Sequence, residues 1–325
     1  MRKTGLSDLM LSAMLVLPWG TPAAAQTRVW VASNGTDTAT CGGVPSLPCA
    51  TFQRAHDNAA AGGQISVLTA GDYGPVAFTK AISITNDGSG EANVLVPSGG
   101  TGISINAGRG DIIGLRGLVI EGASAGAVGI QLLAGSALHV QNCVIRNLEG
   151  GGSAFGIFFL SSTNSQLFVS DSIIFNNGNS AGSGGILILP LASGSANVAL
   201  DRVQLENNVV GLRVESGFNL GDGGHVVLRD SVVSGNASDG IAAHTAAGHG
   251  PAFLFVQRST VVNNGGNGIV ADGPRATVLL SDSTLSRNGT GVATVNSGQL
   301  ISYGNNRNNN NIGPEGTPTG FYTRN

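Results

Sequence analysis

The chain has 325 residues, a formal net charge of −3, 41% hydrophobic residues and only 11% charged residues. This apolar content excludes a disordered chain, and the weak, dispersed charge gives no attraction for nucleic acid or an anionic membrane. Gly is abundant, at 51 residues, while Val, Ile and Thr fall in short runs separated by Gly, Asn and Ser. This pattern predicts an all-β protein with many short strands.

Residues 1–25 are predicted to be a signal peptide. Arg2 and Lys3 precede an apolar segment too short to anchor in a bilayer, and Ala23–Ala25 offer a small-residue cleavage site. No later stretch approaches the roughly 18 apolar residues of a membrane helix. The sequence therefore predicts an exported protein, periplasmic or extracellular, without a transmembrane segment.

Residues 26–64 are predicted to cap the N-terminal end of the fold. Cys41 and Cys49 flank the segment GGVPSLP. Because an exported protein meets an oxidising compartment, we expect them to form a disulfide, with two free thiols as the alternative. The segment TFQRAHDNAAAGG, which begins at Thr51, predicts a short amphipathic helix that ends at Gly62–Gly63.

Residues 65–304 contain a repeat of about 28 residues. Each copy carries three short apolar strands, which are too few to bury their own apolar face, so neighbouring copies must stack. Parallel pairing between equivalent strands predicts a single-domain right-handed parallel β-helix with three strands per coil and nine or ten coils. The clearest copies begin at Val140, Val169, Leu200, Leu228, Val256 and Leu280.

Stacking places equivalent residues in files along the coil axis. One file is predicted to carry hydrogen bonds along the stack and to supply the left-handed backbone of a corner: Asn177, Asn208, Asn236, Asn264 and Asn288, with Asn147 one residue early. A second file holds small inward side chains: Cys143, Ser172, Val203, Ser231, Ser259 and Ser283. We expect Cys143 to be a buried, unpaired thiol.

A third file alternates in charge from its second member onward: Asn142, Asp171, Arg202, Asp230, Arg258 and Asp282. Because neighbours in the file are one strand spacing apart, each Arg should lie between two carboxylates. We interpret the file as control of the stacking register, with a charged binding stripe as the alternative. Residues 305–325 have lost the repeat and are predicted to be an Asn-rich tail that stops strand addition.

The segment PCATFQRAHDNAAAGGQISVLTAGDYGPV, followed by coils of the form S-x-V-x-x-N…GI, resembles bacterial exported proteins of the pectin-lyase-like superfamily of right-handed parallel β-helices. The resemblance covers residues 28–325 and is more specific for fold than for function. The superfamily includes pectate lyases, polygalacturonases, alginate-modifying enzymes and phage tailspikes. It implies catalytic groups on outward positions of one strand face and in the adjoining loops, and its lyases use calcium held by Asp and Glu.

Each of the three strands of a coil contributes one outward-facing residue to a row along the stack, and none of these three rows contains a carboxylate. Candidate catalytic residues must therefore come from the loops after Leu212. Corresponding loops of adjacent coils lie side by side, and acid and imidazole groups there could perform general acid–base catalysis. The candidates are Glu215, Asp222, His244 and His249. The alternative is that polar residues simply collect in the longest exposed loops.

Candidate ligand-binding residues are Arg213 and His225 from the same loops and Phe158, Phe168 and Phe255 from the outward strand faces. Exposed rows of apolar side chains mark a ligand or partner surface. Both glycan binding and self-association into a homo-oligomer fit the apolar rows on these strand faces. We favour binding of a polysaccharide or envelope polymer without catalysis. The alternative is a polysaccharide lyase, hydrolase or epimerase that uses loops 213–249, and only this alternative would involve calcium; no metal site or other cofactor is predicted.

Overall fold

The computed structural model describes residues 26–322, so the predicted signal peptide lies outside the described residues. Within this range the chain is an all-β right-handed parallel β-helix with one short helix. Each coil adds one strand to each of three sheets, and all paired strands are parallel. The smallest sheet has nine strands, so nine coils of the described chain contribute to all three sheets.

Sheet A has 12 strands. They are β1 (Gln26–Val31), β2 (Ala59–Val67), β5 (Ile82–Thr85), β8 (Ile112–Arg116), β11 (Ala137–Gln141), β14 (Ser165–Ser170), β17 (Ser195–Asp201), β20 (Gly223–Arg229), β23 (Ala252–Gln257), β26 (Ala276–Ser281), β29 (Gln299–Ser302) and β31 (Gly320–Phe321).

Sheet B has 10 strands. They are β3 (Gly71–Asp72), β6 (Ala92–Leu95), β9 (Leu118–Glu121), β12 (Val144–Arg146), β15 (Ile173–Phe175), β18 (Gln204–Glu206), β21 (Val232–Ser234), β24 (Thr260–Val262), β27 (Thr284–Ser286) and β30 (Arg307–Asn308).

Sheet C has nine strands. They are β4 (Val76–Phe78), β7 (Thr101–Asn106), β10 (Val128–Ala134), β13 (Phe155–Phe159), β16 (Gly184–Ile188), β19 (Val210–Glu215), β22 (Ile241–His244), β25 (Asn267–Asp272) and β28 (Thr290–Val295).

The core is a column of aliphatic side chains between the three sheets. Strands alternate between buried and less buried residues, so that every second side chain points inward. In sheet B the inward residues of successive coils stack in register with no exposed surface, in the order Ile145, Ile174, Leu205, Val233, Val261 and Leu285.

The single helix of the described chain, α1 (Phe52–Asn58), packs its buried Phe52 and Ala55 against the first coils. Thr51 caps it by accepting a hydrogen bond from the backbone N–H of Arg54 (3.1 Å). The prediction that this helix continues to Gly62–Gly63 is wrong, because Ala59 is already extended and begins β2. Pairing of β2 with both β1 and β5 outweighs the helical preference of its alanines.

The predicted disulfide between Cys41 and Cys49 is confirmed. The side-chain amide of Asn58 donates to the carbonyl oxygen of Cys41 (3.1 Å), and so joins the last helical residue to the disulfide loop. Within residues 26–322, no helix has the length and apolar character needed to cross a membrane.

The structure also places strands outside the predicted coil range of 65–304. At the N-terminal end, β1 pairs with β2 inside the predicted cap. At the C-terminal end, β30 pairs with β27 and β31 pairs with β29, so the expectation that residues 305–325 stop strand addition is wrong for these two short strands. Asn311 explains part of this continuation, since its Oδ1 accepts a hydrogen bond from Asn288 (3.0 Å) and extends the asparagine file into the tail.

The asparagine file is a continuous buried ladder. The side-chain Nδ2 donates to Oδ1 of the next coil from Asn177 to Asn208 (3.0 Å), from Asn236 to Asn264 (2.8 Å) and from Asn264 to Asn288 (2.8 Å). Between Asn208 and Asn236 the backbone N–H of Asn208 makes the link, by donating to Oδ1 of Asn236 (2.9 Å). The left-handed backbone, however, does not belong to the ladder residues themselves. It lies one position earlier in each coil, at Asn147, Asn176, Asn207, Gly235, Asn263 and Arg287. Asn147 is therefore a corner residue, and Leu148 occupies the ladder position.

The charged file forms ion pairs between coils, in which each Arg binds the Asp of the preceding coil, one of the two carboxylates predicted to flank it. Arg202 binds both carboxylate oxygens of Asp171 (2.6 and 3.0 Å), and Arg258 binds both oxygens of Asp230 (2.8 and 2.7 Å). All six residues of the file, from Asn142 to Asp282, also have a left-handed backbone, with φ between 45° and 52°. The file thus marks a second sharp corner of the coil, where Asn and Asp are tolerated better than Arg.

Candidate functional site

The outer face of sheet A carries a row of apolar and aromatic side chains. Pairing in register places one residue of each coil in this row, in the order His139, Phe168, Ala199, Val227, Phe255 and Leu279. Phe168 and Phe255 are three strands apart, which corresponds to about 14 Å along the coil axis. The small side chain of Ala199 next to Phe168 leaves a gap in the row.

This gap forms a shallow depression of about 280 Å³. Phe168 stands at one end of it and Phe253 at the other, while Ala199 and Val227 form its floor. Its remaining lining residues are Gln166, Asn197, Val198, His225 and Val226. The depression therefore combines two aromatic rings, an aliphatic floor and three polar side chains.

Aromatic contacts continue the face on both sides of the depression. The rings of His139 and Phe168 stack with their centroids 4.7 Å apart and their planes at 13°. Burial lowers the pKa of His139, so its ring is neutral at neutral pH and stacks as an aromatic group. Toward the C-terminus, the ring centroids of Phe255 and Tyr303 are 6.0 Å apart, and those of Tyr303 and Tyr322 are 5.1 Å apart.

The polar side chains of the depression have unequal freedom to bind a ligand. Gln166 and Asn197 are exposed, and within residues 26–322 neither side-chain amide makes a hydrogen bond. Each offers two N–H donors and one acceptor oxygen. His225 is half-buried, and its Nε2 lies 2.8 Å from the backbone oxygen of Asp222 and 3.7 Å from that residue's carboxylate.

A second cluster lies on sheet C, where the strands of successive coils end. Glu215 is 6% exposed and is bound by Arg213 (2.6 Å), by Nδ1 of His244 on the next coil (2.6 Å) and by the backbone N–H of Gly217 (2.9 Å). The other ring nitrogen of His244 lies 3.9 Å from the carboxylate of Asp272, one coil further on. These residues form an ionic chain that crosses three coils.

The electrostatics of this ionic chain favour an ionised Glu215. Burial raises its pKa, but the hydrogen bond from His244, followed by those from Arg213 and Gly217, outweighs burial and leaves the pKa below its usual value. With its oxygens already bound, Glu215 is a poor proton acceptor and a poor ligand for calcium, which needs several free oxygen atoms. Its contact with Nδ1 instead orients the ring of His244, whose Nε2 makes no hydrogen bond among the described residues and lies 3.9 Å from the carboxylate of Asp272.

The structure brings together only some of the predicted site residues. Arg213, Glu215 and His244 are in contact, and Asp222 contacts His225. In the described chain no hydrogen bond or ion pair joins Asp222 or His249 to Glu215; Nδ1 of His249 lies 3.1 Å from the backbone oxygen of Ala247. The four predicted catalytic residues are therefore not one cluster.

The predicted ligand-binding residues also divide between faces. Phe168, Phe255 and His225 lie on sheet A, whereas Phe158 and Arg213 lie on sheet C. Phe158 packs against Phe155 with the ring centroids 4.9 Å apart. The predicted ligand-binding residues thus lie on two faces, and the depression lined by Phe168 and Phe253 is on sheet A.

Sequence reasoning missed Gln166, Asn197 and Phe253 in the depression and Asp272 in the ionic chain. It considered one outward position per strand, whereas the longer strands expose two or three. The alternation of side chains along a strand could have found these residues. Phe253 lies two residues before Phe255 in β23, so its side chain must point to the same face. By the same rule Glu215 lies two residues after Arg213 and is an outward carboxylate.

Potential metal ligands form one close group in the described residues, Asp37 with Cys41 and Cys49. Because both sulfurs are bonded to each other, they cannot serve as thiolate ligands. Asp37 instead accepts hydrogen bonds from the backbone N–H groups of Ala50 and Thr51 (2.8 and 3.1 Å), next to the start of α1. The contacts of Asp37, Cys41 and Cys49 thus hold the N-terminal cap together.

Comparison with known proteins agrees with the architecture. A family model described as the right handed beta helix region matches residues 191–312. A solved pectate lyase, Pel9A, is similar in fold, with a TM-score of 0.59 and 17% identity over 93% of this chain and 80% of that one. The A-module of the mannuronan C-5 epimerase AlgE4 of Azotobacter vinelandii aligns with a TM-score of 0.39 and 13% identity over 81% of this chain and 91% of its own. No curated protein sequence matches the chain.

These observations define the class of the protein. Within the described residues it is a right-handed parallel β-helix, as the coil pattern of the sequence predicts, and its fold is similar to that of the pectate lyase. At 17% identity the likeness to the pectate lyase concerns the fold alone.

Proposed function

We propose that this chain is an exported protein that binds a polysaccharide or cell-surface polymer on the outer face of sheet A without changing it chemically. The observation that carries the proposal is the depression between Phe168 and Phe253, with the free amides of Gln166 and Asn197 at its side. Sugar rings have apolar C–H faces that stack on aromatic side chains, while their hydroxyl groups pair with amides.

The shape of the fold supports a polymer rather than a small molecule. The depression is open and shallow, and aromatic residues continue beyond it in both directions along the coil axis. A chain molecule that lies along this axis can make several weak contacts at once, which raises its overall affinity without any deep pocket.

The composition of the depression supports binding rather than cleavage. Among the described residues that line it there is no Asp or Glu, whereas glycoside hydrolysis requires two carboxylates that flank the scissile bond.

A glycan array followed by calorimetry on any glycan bound tests the proposal. Phe168→Ala and Phe253→Ala should each weaken binding by at least about tenfold, equivalent to about 1.4 kcal/mol, because each removes a stacking surface. Leu95→Ala removes a comparably exposed apolar side chain from sheet B and should leave affinity unchanged. Absence of binding to every glycan, or equal affinity of all three variants, would contradict the proposal.

Self-association through the same apolar face is distinguishable from glycan binding. It would appear in sedimentation as a concentration-dependent dimer that Phe168→Ala dissociates. If such a dimer forms and no glycan competes with it, the face is an interface between copies of this chain and the glycan proposal fails.

The ionic chain on sheet C supports a second candidate, a polysaccharide-modifying enzyme. His244 is 33% exposed, and Glu215 fixes its ring through Nδ1, as an acid or base catalyst requires. Incubation with a panel of polyuronates, with and without calcium, would reveal new absorbance from unsaturated ends or new reducing ends. In this case His244→Ala should abolish activity, while Asp222→Ala and His249→Ala, which lie apart from Glu215, should retain it.

A further inference from the structure

We infer that the polymer bound in the sheet A depression is an uncharged polysaccharide and not a polyuronate, an inference that rests on the proposed function. The surface offers stacking and amide hydrogen bonding, but its positive charges are already committed to neighbouring carboxylates.

The lining of the depression contains no side chain that is permanently positive. Its nine residues are aromatic, aliphatic or amide-bearing, apart from His225. A polyuronate carries one carboxylate on each sugar, and a carboxylate that loses water without gaining a cation or several N–H donors is strongly disfavoured. The amides of Gln166 and Asn197 pair equally well with neutral hydroxyl groups.

The nearest row of charges on sheet A is internally balanced. Asp201 accepts a hydrogen bond from Arg229 on the next coil (2.8 Å) and also binds Arg202. Arg202 in turn binds both oxygens of Asp171. The Asp201 side chain is only 14% exposed, so a uronate that drew Arg229 away would leave a largely buried carboxylate with fewer partners.

Asp222, whose side chain is 77% exposed, is an acidic residue in contact with the lining residue His225. Its carboxylate and its backbone oxygen both face Nε2 of His225, 3.7 and 2.8 Å away. Nε2 of His225 is therefore already in contact with Asp222 and is not free for a ligand carboxylate. A polyanion that approaches this end of the depression meets a like charge.

The test uses pairs of polymers that differ only in charge. Hydroxyethyl and carboxymethyl derivatives of one cellulose form one pair, and fully methyl-esterified and de-esterified polygalacturonate form another. The mature protein should bind the neutral member of at least one pair, and its affinity should change by less than about twofold between about 0.05 and 0.5 M NaCl. Phe168→Ala should remove this binding.

A matched pair of variants makes the charge argument sharper. Asn197→Lys adds an uncommitted cation to the depression, whereas Gln204→Lys adds the same charge at an exposed position of sheet B. Asn197→Lys should raise affinity for the charged member of a pair severalfold at low salt, and Gln204→Lys should not.

The outcomes separate this inference from the proposed function. Preferential binding of the charged members by the unmodified protein, lost at high salt and lost in Phe168→Ala, would overturn the inference and leave glycan binding on sheet A intact. Binding of neither member of any pair, nor of any other glycan, would overturn both.

Discussion

Asn236 donates a hydrogen bond of 2.8 Å from its side-chain Nδ2 to the Oδ1 of Asn264 on the next coil, and both side chains are buried. Nδ2 of Asn236 also lies 3.1 Å from the backbone oxygen of Leu205, and its Oδ1 accepts from the backbone N–H of Asn208 (2.9 Å). One side chain thus satisfies buried polar groups on the coil before its own and on the coil after it.

Replacing Asn236 by Ala should lower the free energy of unfolding by about 2–4 kcal/mol, because it leaves several buried donors and acceptors unpaired. Equilibrium urea denaturation would measure this loss. Gln204→Ala, at an exposed position of β18 in sheet B, should change the free energy of unfolding by less than about 0.5 kcal/mol. Equal effects of the two substitutions would show that the ladder contributes nothing specific.

The lowered pKa of Glu215 predicts a pH dependence of stability with a definite sign. Because its folded pKa lies below its unfolded value of about 4.3, its stabilising contribution is complete well above that value and is lost as pH falls through the folded pKa. Glu215→Gln should therefore be less stable than the unmodified protein at pH 7, by about 1–2 kcal/mol, and the difference should shrink as pH falls below about 4. Thermal melting of both proteins between about pH 3 and 7 would check this; a pH-independent difference would contradict it.

Cys143 should be chemically silent in the folded protein. It is buried, and burial raises the pKa of its thiol to about 11, so that almost no thiolate is present at pH 8. A chromogenic disulfide reagent should detect no thiol in the native protein and one after denaturation. Rapid reaction of the native protein at the rate of a small-molecule thiol would mean that this part of the core opens easily.

The disulfide between Cys41 and Cys49 closes a short loop, and its removal should cost about 2–3 kcal/mol by the chain-entropy relation. The effect should be local, because Asn58 connects this loop to α1 and to the first coil. In a Cys41→Ser, Cys49→Ser double variant, limited proteolysis should cut first within residues 32–58. Unchanged protease resistance would show that the cap is held by its other contacts.

The sequence was sufficient to predict the coil, the three strands per coil and the asparagine ladder, because each depends on local pattern and on a fixed spacing between copies. It placed the left-handed corner at the ladder residues, whereas the backbone turns one residue earlier, as Asn147 shows. The sequence also did not show that Asp222 and His249 lie apart from Glu215 in the structure. Loop residues of adjacent coils follow no common register, so their distances depend on the path of each loop and not on the repeat.

The alternating ion pairs from Asp171 to Arg258 limit how this fold can change in length. Removal of the single coil that contains Arg202 would bring Asp171 next to Asp230, and insertion of one duplicated coil would likewise place equal charges side by side. Removal or duplication of two neighbouring coils preserves the alternation. For shortening or lengthening, the natural module of this part of the protein is therefore a pair of coils, one acidic and one basic, and not the single repeat that the sequence displays.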